Sequence, residues 1–128
     1  MHALWTYLIV FLGAGAGGAL RHGANTVAFR FFGDAFPYGT LSINVIGSLV
    51  MGLLAGCFAD LFDPGQAWRL FLTTGLLGGF TTFSAFSLDA ALLYERGQLA
   101  QAGLYVLASV GLSLLGIFGG LSLMRAIN

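Results

Sequence analysis

"GGFTTFSAF", Gly78 to Phe86, is the stretch on which the reading of this chain turns. Its nine residues hold two glycines, two threonines, a serine and three phenylalanines. Glycine is a poor helix former, and threonine is β-branched and stiff at χ1. Yet the stretch sits inside an apolar run from about Ala67 to Tyr94, long enough to cross a bilayer. The helix is therefore expected to unwind locally near Gly78 to Thr82. Unwound backbone at membrane depth is tolerated only where it is buried in protein or lines a cavity. Freed carbonyls there are hard oxygen ligands, suited to a small cation. The helix start beyond the break offers N–H groups and a positive dipole end, suited to an anion. Phe83 and Phe86 follow at i and i+3 on one face, and aromatic ring edges are weakly positive. Ser84 and Ser87 add hydroxyls on a neighbouring face. The alternative is that the phenylalanines simply pack.

The surroundings decide the class. Of 128 residues, 58% are hydrophobic and 8% charged, with a mean hydropathy of +0.90. A soluble domain carries about 25% charged residues, so this chain lacks the polar groups to cover its own surface in water. It reads as an all-α integral membrane protein, with residues 1–128 a single four-helix domain and the third helix broken near its centre. The segments run from about Trp5 to Phe32, Tyr38 to Ala59, Ala67 to Tyr94 and Leu99 to Met124. The turns are "GDAFPYG" (Gly33 to Gly39), "DLFDPG" (Asp60 to Gly65) and "ERGQ" (Glu95 to Gln98). The first run lacks a charged leading region and continues past the ~7–15 apolar residues of a signal peptide.

Several functions are excluded. A single cysteine, Cys57, permits neither an intrachain disulfide nor a multi-cysteine metal site. His2 and His22 are too few and too far apart for a metal cage. No basic patch exists to bind nucleic acid, and no nucleophile–base pair points to an enzyme. "GAGAGG" (Gly13 to Gly18) matches a dinucleotide fingerprint, but it lies inside a membrane span with no preceding strand. Gly13 and Gly17 are better read as a helix-packing pair.

Charge leaves the orientation open. Four spans place both termini and the second turn on one side, with Asp60, Asp63, Arg69 and Arg125. The other side holds Arg30, Asp34, Glu95 and Arg96. Arginines split two against two, so the positive-inside rule selects neither topology. Either the chain inserts both ways and pairs as an antiparallel homodimer, or another determinant fixes one orientation.

Three spans carry stripes at spacing four, which share a helix face. These are Gly13, Gly17, Arg21 and Asn25; Thr40, Asn44, Ser48, Gly52 and Gly56; and Tyr105, Ser109 and Ser113, continued by Gly116 and Gly120. The glycines read as close-packing positions. Asn44, Ser109 and Tyr105 are candidates to line a wet path, because polar groups in lipid need partners or water. Arg21 and Asp89 are the deepest charges and functional candidates by default. Arg21 is either a structural anchor capping helix carbonyls or a vestibule cation. Asp89 either lines an entrance or pairs with an arginine.

With "GGFTTFSAF" and "PYGTLSINVIGS" (Pro37 to Ser48), the sequence resembles the Fluc (CrcB) fluoride channels over all four spans. The resemblance implies an antiparallel, dual-topology homodimer in the cell inner membrane, with two pores passing fluoride passively. Phe83 and Phe86 match the paired pore phenylalanines, and Asn44 the pore asparagine. Ser84, Thr40, Tyr105, Ser109 and Ser113 match polar positions of the path. The carbonyls of Gly78 and Thr81 match a structural sodium site on the dimer axis, and Arg21 the first-helix arginine. Two positions depart from the pattern: Ala85 stands where a threonine is frequent, and Asp89 where a glutamate is common. Two rivals remain beside this reading. A proton-coupled exporter of the small multidrug type would need a central membrane carboxylate, and only Asp89 lies within a span. A structural subunit would show no ion flux.

Overall fold

A computed structural model describes residues 2–127. Four helical passes are long and apolar enough to cross a membrane, making this a multi-pass membrane protein. They are α1 (Ala3–Phe32), α2 (Tyr38–Asp60), a composite third pass, and α6 (Leu99–Ile127). At ~1.5 Å per residue, the 30 residues of α1 reach about 45 Å, beyond the ~30 Å hydrocarbon core. The first turn is sharp because Gly33 adopts φ 72°, a left-handed value that favours glycine, and its N–H donates to the Phe29 carbonyl at 2.8 Å.

Small residues set the packing. α2 lies along α6, and α1 lies along the first half of the third pass. A Cβ added at Gly52 would collide with the Ile117 carbonyl oxygen, and one at Gly120 would sit 2.6 Å from the Leu49 carbonyl oxygen. In α1, a Cβ at Gly17 would collide with the Leu76 carbonyl oxygen, and one at Gly13 would lie 2.7 Å from that of Phe71. The glycine stripes are therefore places where backbones touch. The same contacts settle "GAGAGG" as packing within a continuous helix.

The buried core is small. Leu93, Ala102 and Tyr105 form its centre, with Phe36, Leu41, Phe86 and Ala90 against them. Most other large apolar side chains point outward, as a lipid-facing surface requires.

The third pass is built of pieces. α3 (Gln66–Leu70) runs into a π-helical segment (Phe71–Leu77), then a short helix α4 (Gly78–Phe80). The chain is extended at Thr81 (φ −83°, ψ 157°) and Thr82 (φ −153°, ψ 120°). α5 (Phe83–Glu95) then resumes. The break is thus narrower than the expected window and lies at its C-terminal end. Gly78 and Gly79 stay helical, and Gly79 serves contact: a Cβ there would collide with the Ala14 carbonyl oxygen. The π-helical widening has no counterpart in the sequence reading.

Candidate functional site

The break is held by side chains from two of the other passes, α1 and α2. Thr82 accepts from the Ala85 N–H through its hydroxyl at 3.1 Å, capping α5. The Thr82 N–H donates to Asn44 Oδ1 at 2.8 Å, and Asn44 Nδ2 donates to the Thr82 carbonyl at 3.0 Å. The amide side chain of α2 thereby pairs with the broken strand as a second peptide would. Arg21 Nε, from α1, donates to the Gly79 carbonyl at 3.2 Å. The Leu77 carbonyl accepts from the Thr81 N–H at 3.0 Å and from the Thr81 hydroxyl at 2.9 Å. The carbonyls of Gly78 and Thr81 receive none of these bonds. Two hard oxygens at a helix break are the right donors for a small cation.

A cavity of about 320 Å³ opens beside the break. Asn44, Ser48, Thr82, Phe83, Phe86, Ser109 and Ser113 line it. The Phe83 and Phe86 ring centroids are 5.4 Å apart, with planes at 52°. Phe86 also stacks on Tyr105 at 5.3 Å, which fixes one wall, whereas Phe83 is 74% exposed. Ser109 Oγ is buried without a hydrogen-bond partner among the described residues. A buried hydroxyl of that kind calls for water or an ion.

A second cavity of about 340 Å³ opens toward the first and third turns. Asn25, Asp34, Thr40, Asp89 and Arg96 are among its walls. The Tyr105 hydroxyl, on a fully buried side chain, donates to Asp89 Oδ2 at 3.1 Å. Tyr105, Ser109 and Ser113 follow a turn apart on α6, the tyrosine bonded to Asp89 of the second cavity and the serines lining the inner one.

The structure brings most of the expected residues together. Asn44, Phe83, Phe86, Ser109 and Ser113 share the inner cavity, and Thr40 and Asp89 share the second one. Ser84 lines neither cavity: it is exposed, its hydroxyl 3.3 Å from that of Thr82. Arg21 donates from its side chain to a backbone carbonyl, and Asp89 lines the second cavity and accepts from a tyrosine rather than pairing with an arginine. Sequence reasoning missed Thr82 as the helix cap, though a threonine just before a helix start is a recognisable signal. It also missed Gly47, where a Cβ would collide with the Thr81 methyl. No pattern in the chain announced that contact.

A helix break held by distant side chains, beside a cavity lined by hydroxyls and phenylalanine rings, fits a small multi-pass membrane protein that moves a solute rather than transforms one. The chain belongs to the family described as CrcB-like protein, Camphor Resistance (CrcB), whose profile matches residues 8–121. The fluoride-specific ion channel FluC of Rhodopseudomonas palustris strain BisB5 is 64% identical over 123 residues, covering 96% of this chain and 99% of that one. FluC of Methylobacterium nodulans is 60% identical, covering 92% and 94%. FluC 2 of Nitrobacter hamburgensis is 56% identical, covering 93% and 96%.

Proposed function

We propose that this chain is a fluoride-specific ion channel that lets cytoplasmic fluoride leave passively, protecting against its toxicity. The observation that carries the reading is the inner cavity: one amide, three serines and two phenylalanine rings line it beside a helix break. Fluoride is small and strongly hydrated, so its path must replace water with donors. Ser109, Ser113 and the remaining Asn44 N–H supply them, and the edges of Phe83 and Phe86 add weak positive potential. A narrow bore rejects larger halides. Ser84 and the open N–H groups at the start of α5 strengthen the positive end. Thr40, Tyr105 and Asp89 form the mouth.

The working unit is an antiparallel dual-topology homodimer with two pores, in the cell inner membrane. The even split of arginines between the two sides supports insertion both ways. The exposure of Phe83 suits a ring that completes its wall against a second copy. The carbonyls of Gly78 and Thr81, doubled by that copy, would hold a structural sodium ion. Bound there, it would supply fixed positive charge next to the anion path.

The energetics need no coupling. Fluoride enters cells as the neutral acid and ionises at the higher internal pH. A negative-inside potential then favours its exit by ~2.3 kcal/mol per charge per 100 mV. Purified protein in liposomes should release fluoride and retain chloride, with the rate at fixed voltage unaffected by a protonophore. Equal release of chloride would sink the channel reading, and arrest by the protonophore would favour a proton-coupled carrier.

A further inference from the structure

The peptide between Thr81 and Thr82 touches both proposed ion sites. Its N–H is bound by Asn44 Oδ1 at 2.8 Å, inside the anion cavity. Its carbonyl is that of Thr81, one of the two oxygens assigned to the cation. A trans peptide is planar, with C=O and N–H on opposite edges, and no cis bond occurs among the described residues. Fixing the N–H toward Asn44 therefore aims the Thr81 oxygen away from Asn44. The amide orientation is not arbitrary. Reversing it would set N–H against N–H and oxygen against oxygen, so both bonds to Thr82 define one arrangement.

We propose that Asn44 is a positioning residue that couples the two ion sites through the Thr81–Thr82 peptide, so that a cation at the Thr81 carbonyl and an anion in the cavity favour each other. The inference rests on the channel reading and deepens it. With a cation on the Thr81 oxygen, the peptide is polarised and the Thr82 N–H becomes a stronger donor. Hydrogen bonds in series reinforce one another in a low-dielectric interior. Asn44 Oδ1 then accepts more strongly, and the second N–H of Asn44, not used by Thr82, becomes a better donor to an anion. Arg21 supports the arrangement by occupying the Gly79 carbonyl, which leaves Gly78 and Thr81 as the oxygens free to turn toward a cation. Such a coupling must be reciprocal.

The test compares fluoride efflux from liposomes with sodium and with N-methylglucamine as the only cation. For the unmodified chain the rate ratio should be at least about 5, the lower end of ordinary coupling between sites. Asn44→Ser puts a hydroxyl in place of the amide and cannot span Thr82 at two points, so its ratio should fall to about 1. Ser113→Ala should slow efflux yet keep the full ratio. Because Asn44→Ser could fail to fold, the unmodified protein provides a second readout. Sodium and fluoride together should raise its unfolding midpoint by more than the sum of their separate effects. A sodium effect that survives intact in Asn44→Ser, or strictly additive shifts, would overturn the coupling while leaving fluoride conduction standing. Absence of fluoride efflux from the unmodified protein would overturn both.

Discussion

The α2–α6 seam and the break in the third pass use the same small residues to opposite ends. Along the seam, Gly52 and Gly120 remove every atom between two backbones, and the helices touch without a polar side chain. At the break, Gly47 and Gly79 also permit contact, but the contact delivers Asn44 and Arg21 onto peptide groups that the helix has released. The seam gains dispersion and closes. The break gains hydrogen bonds and keeps a cavity open beside it. Glycine spacing alone does not separate the two. What separates them is whether a donor or acceptor lies within reach of the glycine.

Substitution should expose that difference. The largest effect is expected at the seam. Gly52→Leu forces a side chain into the Ile117 backbone, and overpacking costs ~1–3 kcal/mol, more where backbone must move. The unfolding midpoint in detergent should drop sharply, while Gly111→Leu, which meets open space, should leave it unchanged. A tolerated Gly52→Leu would mean that the seam is looser than its contacts indicate.

A smaller loss is expected at the break. Thr82→Ala removes the cap on α5, worth about 1 kcal/mol. Its backbone can still pair with Asn44, so the protein should fold and conduct more slowly. If efflux were unchanged, the cap would matter to the helix and not to the path.

The smallest effect is expected in the second turn, far from both regions. Asp63 Oδ1 accepts from the Gly65 N–H at 2.9 Å and from Arg69 at 3.3 Å. The Gly65 bond first, then Arg69, holds the carboxyl below its ordinary value of 3.8. Because the folded value is the lower one, its contribution is present above about pH 4 and fades as pH falls through the folded value. The pair is exposed, so Asp63→Asn should barely change stability at neutral pH and leave efflux untouched. Titrating the unfolding midpoint of both forms downward from neutral pH checks the sign: the two curves should converge in acid.

Much of this was legible in the sequence, for reasons that differ by residue. The four passes follow from runs of apolar residues that water would not tolerate. The break was legible because glycine and threonine cluster at membrane depth, yet its position was not. Gly78 and Gly79 look like the weakest helical residues, but both stay helical, Gly79 in close contact with Ala14 of α1, and the chain opens at Thr81 and Thr82 instead. Asn44 was legible as a polar group needing partners, while its grip on Thr82, 38 residues away, depends on how α2 crosses the third pass. The π-helical segment, Phe71–Leu77, left no trace in composition or spacing.

The central claim is that ring edges beside the break, and not merely an open cavity, carry fluoride. Phe83 tests it most directly, since a ring 74% exposed in the single chain contributes little to that chain's own packing. Phe83→Ile should leave the helical fold of the chain intact, read as an unchanged circular dichroism spectrum, and cut fluoride efflux from liposomes at least tenfold, or ~1.4 kcal/mol in the barrier. Full efflux from a well-folded Phe83→Ile protein would contradict the account.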